Sequence, residues 1–324
     1  MHELRKHYLL DEWVIIASGR EKRPKQIESR TVSAPANKCP FCVGKESETP
    51  PEIMRVPFQG KTWRVRVVSN KFSAVDDTTL VEKLELPFRF LRTAAGKHEV
   101  IIETPLHELQ MADFTESRIM EVLNVWIGRI TELEKNVNIQ EVSLFKNQGE
   151  KAGASLGHAH SQLIALNQVS RRTKDELNAF AKAFETIGNC PYCAVIALEK
   201  DSQRRVFENQ SFVAFTPFAS KSPFELVIFP RRHSKHFKGM MEKEKADFAS
   251  VLKKALVAVR GLGEDFNLYF KHAPPETGDF HWYATIEPKL TIRAGFEKAT
   301  GTMINSFSPE FAASYYREKF MVGK

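Results

Sequence analysis

Several things are scarce in this chain, and each scarcity narrows what it can be. No apolar run approaches the eighteen or so residues that a membrane-spanning helix needs, and the opening Met1-His-Glu-Leu-Arg-Lys-His7 lacks the apolar core of a signal peptide. A cytoplasmic protein is therefore expected. Acidic excess is absent: 47 Lys and Arg face 40 Asp and Glu, a formal charge of +7 with a pI near 9.1, which suits anionic ligands such as phosphates, nucleotides or nucleic acid. Long basic runs are missing too, since the densest stretch, Arg20-Glu-Lys-Arg-Pro-Lys25, is short and has no interleaved aromatics. The remaining composition is globular: 324 residues, 42% hydrophobic and 27% charged, a length that fits two ordinary domains.

Cysteine is scarce as well, and its placement is informative. All four fall in two copies of one tetrapeptide form, Cys39-Pro-Phe-Cys42 and Cys190-Pro-Tyr-Cys193. Such a pair can be a redox dithiol, a disulfide or half of a tetrahedral metal site. A reducing compartment argues against the disulfide, and the loop-like Ser33-Ala-Pro-Ala-Asn-Lys38 before Cys39 argues against a thioredoxin-type helix start. Metal is the first choice.

The segments downstream of the two tetrapeptides also repeat. Val67 to Val75 and Val206 to Phe215 are strand-like, with Asn, Phe and Ala in the same order, and His98–His107 overlies Phe224–His233 without a gap. Apolar spacing of three and four predicts helices over Phe114–Leu133 and Phe248–Val259. Each half then runs through a strand ending in Phe-Lys (Phe145-Lys146, Phe270-Lys271) and a glycine-containing loop to a strand opening with His158 or His281. The pattern predicts an α+β fold of two tandem units, antiparallel sheets with packed helices related by a pseudo-twofold. The units, 1–175 and 176–324, are joined through the helix-compatible stretch Arg171–Glu185.

Each half supplies a Cys2His2 set suited to zinc: Cys39, Cys42, His107 and His158, then Cys190, Cys193, His233 and His281, with His236 competing for the place of His233. Both sets are closed, so these metals hold loops and do no chemistry. If His158 is a ligand, His160 in Gly157-His-Ala-His-Ser-Gln162 is free. In a strand His158, His160 and Gln162 share a face. A neutral imidazole is a good nucleophile toward phosphorus, and the Gln162 amide can steady phosphoryl oxygens. The preceding loop, Asn147 to Ser155 with Gly149 and Gly153, is of a kind that wraps phosphates with backbone N–H groups. Tyr283 replaces His160 in the second copy, which predicts one active centre per chain, with the second unit structural or substrate-binding.

Together, the Trp13–Pro24 opening, Cys39-Pro-Phe-Cys42, the Asn147-to-Gln162 run and the late Gly295-Phe-Glu297-x-x-Thr-Gly301-x-x-Ile-Asn305 resemble the galactose-1-phosphate uridylyltransferases, the nucleotidyl-transfer branch of the histidine-triad superfamily. The resemblance spans nearly the whole chain. It implies a double displacement in which His160 takes the uridylyl group from UDP-glucose, releases hexose 1-phosphate and passes the group to a second hexose 1-phosphate such as galactose 1-phosphate. It also implies that Arg20 and Arg23 bind phosphate, that Asn147, Gly153, Ser155 and Gln162 hold the nucleotide phosphates, with Ser155 and Gln162 assisting catalysis, and that Asn70 and Phe72 lie by the base. Phe296 and Glu297 match sugar-binding positions that the family contributes across a homodimer interface, with Lys289 and Arg293 as nearby charges. A backbone carbonyl near His158 would orient the nucleophile, and the second metal site takes zinc or iron.

Two departures stand out: Lys71 where some members have an acidic residue, and His281-Trp-Tyr283 in place of His-x-His. These traits also resemble the family's ADP-glucose phosphorylase branch, which passes an adenylyl group to inorganic phosphate. A triad-type hydrolase and a metal-organised nucleic-acid-binding module are further readings. Gln162 in place of a further histidine opposes the first, and the surroundings of His160 oppose the second.

Overall fold

The computed structural model describes residues 2–19, 36–57, 62–78 and 82–322. The chain opens with β1 (Glu3–Lys6) and β2 (Trp13–Ile16), then β3 (Glu52–Val56), β4 (Val65–Ser69), the hairpin β5 (Lys83–Leu86) and β6 (Arg89–Arg92), β7 (Gly96–Ile102), α1 (Glu116–Leu133), β8 (Glu141–Gln148) and β9 (His160–Leu166). After α2 (Arg171–Ile187) come α3 (Pro191–Glu199), β10 (Arg205–Glu208), β11 (Phe212–Phe215), β12 (Leu226–Pro230), α4 (Glu242–Arg260), β13 (Phe266–Lys271) and β14 (Tyr283–Pro288). The chain closes with α5 (Gly295–Thr300), β15 (Met303–Asn305) and α6 (Pro309–Val322).

The fold is α+β, and its two halves share one sheet. Ten strands run in the order β10-β11-β12-β14-β13-β8-β9-β7-β4-β3, and every pairing among them is antiparallel. The order is a palindrome about the β13–β8 seam: β14 mirrors β9, β12 mirrors β7, β11 mirrors β4 and β10 mirrors β3. At the seam Asn267 stands opposite Asn147 and Leu268 opposite Lys146. A separate three-stranded sheet places β2 between β1 and β15.

One face of the large sheet carries the main core. Alternation sends Leu163 and Ala165 of β9, Val142 and Leu144 of β8, and Leu268 of β13 to that face. There they meet α1 (Ile119, Val122, Leu123, Trp126, Ile130) and α4 (Phe248, Val251, Leu252, Ala255, Leu256, Val259), one helix from each half. Thr115 caps α1 by accepting from the Arg118 N–H. The stretch expected to join the halves is helix α2, begun by the Ser170 cap and ended by left-handed Gly188. Residue 175 lies inside it.

The structure refines three expected elements. Strand character in the first half ends at Ser69, where Asn70 starts a turn by accepting from the Phe72 N–H at 2.9 Å. The matching stretch of the second half is a hairpin, β10–β11, with Asn209 accepting from the Ser211 and Phe212 N–H groups. The histidine strands begin at His160 and Tyr283, so His158 and His281 precede them. No helix among the described residues is long and apolar enough to cross a membrane.

Candidate active site and metal centres

The two metal sets assemble in matching ways. Cys39, Cys42, His107 and His158 form one group and Cys190, Cys193, His233 and His281 the other, with all ligand atoms of a group within 4.8 Å of one another. The Sγ···Nδ1 separations are 3.6 Å for Cys39–His158, 3.7 Å for Cys42–His158 and 3.5 Å for Cys42–His107. In the second group they are 3.7 Å for Cys190–His281, 3.4 Å for Cys193–His281 and 3.7 Å for Cys193–His233. Zinc bonds of ~2.3 Å to sulfur and ~2.0 Å to nitrogen at a tetrahedral angle place S and N about 3.5 Å apart, so the donors already stand at tetrahedral edges.

The outer partners agree with that reading. His158 Nε2 donates to the Thr104 carbonyl at 2.6 Å, His281 Nε2 to the Pro230 carbonyl at 2.9 Å and His233 Nε2 to Asp279 at 2.8 Å, which leaves each Nδ1 lone pair for a metal. Burial, together with the neighbouring sulfur, pushes the Cys42 thiol up to about 11. Burial and its partner Cys193 push Cys190 up to about 12. A divalent cation is what holds such paired sulfurs as thiolates.

The competition between His233 and His236 is decided by position. Of these two, His233 is the one that reaches Cys193. His236 donates from Nε2 to Glu134 at 2.8 Å, because its Nδ1 already accepts the Lys238 N–H at 3.0 Å. The Lys238 ammonium pairs with the same carboxylate. Glu134, His236 and the adjoining His272 lie close enough to resemble a third metal group, yet the Nε2 hydrogen and the ammonium occupy the carboxylate. The group instead ties α1 to the second half.

Next to the first metal group stands His160. It is buried and makes an edge-to-face contact with Phe41, the residue between the first two cysteines, with ring centroids 5.4 Å apart. Nδ1 lies 2.8 Å from the His158 carbonyl oxygen, which only accepts, so Nδ1 carries the hydrogen and Nε2 carries the lone pair. Burial lowers the imidazole to about 4, against the opposing pull of that carbonyl. A neutral ring with its far nitrogen unprotonated is the form a nucleophile requires.

Gln162 and Asn147 share the sheet face of His160. Gln162 is two residues on, in contact with Asn70: Asn70 Nδ2 lies 3.4 Å from Gln162 Oε1. Asn147 is the penultimate residue of β8, and its side chain faces Gly153, whose φ of +86° belongs to the left-handed region. Gly149 (φ +80°) has no room for a side chain, since a Cβ there would lie 3.0 Å from the Asp265 Cα and closer still to its carboxylate. Asp265 also accepts from the Lys151 N–H at 3.0 Å, so the second half shapes this loop. Ser155 is exposed at the loop's end and Phe72 is exposed beside Asn70.

Other expected residues lie elsewhere. Arg20 and Arg23 are outside the described residues. Phe296 and Glu297 sit on α5, where Glu297 caps its own helix through the Ala294 N–H, and neither hydrogen-bonds to the His160 group. Lys289 pairs with Glu287 at 3.0 Å, and Arg293 approaches the same carboxylate at 4.0 Å.

Sequence reasoning missed three contributors. His98 Nε2 lies 2.9 Å from Gln162 Oε1. Asn267 Nδ2 reaches Asn147 Oδ1 at 2.8 Å. A fully buried Lys146–Glu103 pair, 2.7 Å apart, sits on the helix face, where Lys146 also donates to the His160 carbonyl at 3.1 Å. The signal for His98 was its even spacing from Val100, which faces Gln162 across β7–β9. For Asn267 and Lys146 it was position in the strands ending in Phe-Lys.

Known proteins carry the same organisation. The galactose-1-phosphate uridyl transferase N-terminal domain family matches residues 1–170, and a domain of unknown function matches residues 95–317. The chain is 34% identical to the ADP-glucose phosphorylase of Arabidopsis thaliana, over 98% of this chain and 92% of the relative. It is 31% identical to the galactose-1-phosphate uridylyltransferase of Thermotoga maritima, over 98% of each. The crystal structure of the Arabidopsis thaliana ADP-glucose phosphorylase with bound ADP-glucose superposes with a TM-score of 0.85 at 32% identity, covering 98% of this chain and 99% of that one. With matches of this extent to both halves, the chain belongs to the galactose-1-phosphate uridylyltransferase family.

Proposed function

We propose that the protein is a hexose-1-phosphate uridylyltransferase that exchanges UMP between UDP-glucose and galactose 1-phosphate through a uridylyl-His160 intermediate. One observation carries the reading: His160 Nδ1 is held by the His158 carbonyl, so Nε2 carries the lone pair, on the sheet face that also bears Gln162 and Asn147. Nε2 attacks the α-phosphorus, the N–P bond forms, the bridging P–O bond breaks and hexose 1-phosphate leaves with the electron pair. The hydrogen stays on Nδ1, donated to the His158 carbonyl oxygen, whose partial negative charge stabilises the positive charge of the phosphorylated ring. The phosphate of a second hexose 1-phosphate then attacks the same phosphorus and restores the imidazole. Ser155, Gln162, Asn147 and Gly153 hold phosphoryl oxygens, Arg20 and Arg23 bind phosphate, Asn70 and Phe72 border the base, and Phe296 and Glu297 serve the sugar site of the partner in a cytoplasmic homodimer.

Residues 1–175 form the catalytic unit in this proposal and 176–324 the structural, substrate-binding one. Zinc fits the first Cys2His2 group, and zinc or iron the second. A bound metal there supplies rigidity, fixing the loop that carries Phe41 and the residue whose carbonyl orients His160.

A second reading is supported by the likeness to the Arabidopsis thaliana ADP-glucose phosphorylase and by Lys71: an adenylyl group carried on the same His160 and passed to inorganic phosphate. Intact-protein mass spectra after brief exposure to UDP-glucose or ADP-glucose separate the two. A uridylyl adduct discharged by hexose 1-phosphate is the expected result. An adenylyl adduct discharged by inorganic phosphate selects the second reading, and no adduct from either donor rejects both.

A further inference from the structure

We infer that His98 and Asn267 are positioning residues that orient two phosphate-binding amides: each pins the carbonyl oxygen of its partner, Gln162 or Asn147, so that the NH2 group faces the nucleotide diphosphate. The inference rests on the phosphate roles proposed above for these amides.

Backbone groups, which have a single hydrogen-bonding role, settle the orientation. The Ala74 N–H donates to His98 Nδ1 at 3.2 Å, so the ring hydrogen is on Nε2, 2.9 Å from Gln162 Oε1. The Phe72 N–H donates to Asn70 Oδ1 at 2.9 Å, which turns Asn70 Nδ2 toward the same Gln162 oxygen. The two nitrogens lie 3.1 Å apart, and with Nδ1 of His98 already accepting from Ala74 both are donors that face this oxygen. Gln162 Nε2 has no hydrogen-bond partner among the described residues, and Gln162 shares the strand face of His160.

The second amide is fixed in the same way across the seam. The Ala152 carbonyl only accepts, so the Asn267 atom 2.9 Å from it is the nitrogen. That nitrogen's other hydrogen goes to Asn147 Oδ1 at 2.8 Å. Asn147 Nδ2 is left turned toward Gly153, where a Cβ would lie 3.9 Å from it. An amide rotated by half a turn would set its oxygen against phosphate oxygens and convert attraction into repulsion. By preventing that rotation Asn267, directly opposite Asn147 in the β13–β8 register, gives the second half a part in binding at the first half's site.

Double-mutant cycles on UDP and ADP affinity, read by titration calorimetry, test this without requiring turnover. In Asn267→Asp the carboxylate accepts from Asn147 Nδ2 and turns the Asn147 oxygen toward the diphosphate. Affinity should fall by about tenfold to a hundredfold, and the same change in an Asn147→Ala background should have no further effect. His98→Phe keeps a ring but removes the donor. It should weaken binding by about tenfold, lose that effect beside Gln162→Ala, and be partly rescued by His98→Gln. Losses that add in full in both cycles, unchanged affinity in both Asn267→Asp and His98→Phe, or a parent that binds neither nucleotide would each overturn the inference. Non-additive cycles in a parent that forms no nucleotidyl adduct would instead reject the transfer reading while leaving this one standing.

Discussion

The two halves keep the same Cys2His2 donor set and use the opposite face of the sheet differently. In the first half the surface beside His160 is backed by a small apolar cluster, Trp63, Val68, Val100 and Ile102 with Phe41 against it. In the second, the corresponding surface is an aromatic core of Phe180, Tyr192, Phe215, Phe229, Phe280 and Tyr283. Phe229 stacks on Phe215 and Tyr283, and Glu176 of α2 accepts from the hydroxyls of Tyr192 and Tyr283. The N-terminal His7 and Tyr8, with Arg172 and Lys221, close over it and leave a cavity of about 40 Å³, room for a few waters and far below what a nucleotide needs. The duplicated scaffold thus repeats its Cys2His2 donors in both halves, and in the second half it packs this face with aromatic rings. Where the first copy has His160 the second has Tyr283, which is packed among these rings.

The largest difference between the halves should appear at the paired strand starts. His160→Ala should eliminate the nucleotidyl adduct and reduce transfer by at least about 10⁴-fold, while Tyr283→Phe leaves adduct formation in place. Intact mass and initial rates check both, and an adduct that survives in His160→Ala breaks the asymmetry.

Paired cysteine changes sharpen it next. Cys39→Ser and Cys190→Ser should each lower the metal content from two ions per chain toward one. Only Cys39→Ser should reduce kcat substantially, by about ten- to a hundredfold, because His158 and Phe41 flank the nucleophile. Metal analysis beside steady-state kinetics decides. Equal kinetic losses would mean that the second metal also serves the reaction.

Stability should divide the halves in the reverse sense. Phe229→Ala opens the aromatic core and should cost about 3–5 kcal/mol, whereas Val100→Ala in the smaller cluster should cost about half that or less. Chemical denaturation of the metal-loaded proteins measures both.

The smallest effect concerns the tie between halves. Burial tends to raise the Glu134 carboxyl, but His236 and Lys238 outweigh it and hold it below its ordinary 4.5. The folded value lies below the unfolded one, so the stabilisation is present above about pH 4.5 and is lost as pH falls through the folded value. Glu134→Gln should cost about 1–2 kcal/mol at pH 7 and converge with the parent near pH 3. A constant difference across that window would show that the carboxylate's charge contributes nothing.

Much of this organisation was legible in the residues. The duplicated Cys-x-x-Cys and the three-and-four spacing of Ile119, Val122, Leu123 and Trp126 reflect local pattern, and the structure brings each Cys2His2 set together, although the strands end at Ile102 and Pro230 and leave His107 and His233 in the loops that follow. The parts that were not legible depend on register. His98 meets Gln162 because β7 and β9 pair with Val100 opposite Gln162, and Asn267 meets Asn147 because β13 and β8 align them. A shift of one residue would send either side chain to the other face. The choice of His233 over His236 was likewise settled by which ring nitrogen the Lys238 N–H already occupies.

By itself the sequence determined the repeated α+β unit, the donor types of both Cys2His2 groups and the presence of His160 in one copy against Tyr283 in the other. Those features come from residue chemistry and spacing along a single chain. Tertiary structure alone decided that the two units would merge into one ten-stranded sheet, that the second half would pack an aromatic cluster on its face, and that Asn267 of one half would meet Asn147 of the other. Such outcomes arise from contacts between strands remote in sequence, whose pairing and burial no local pattern encodes.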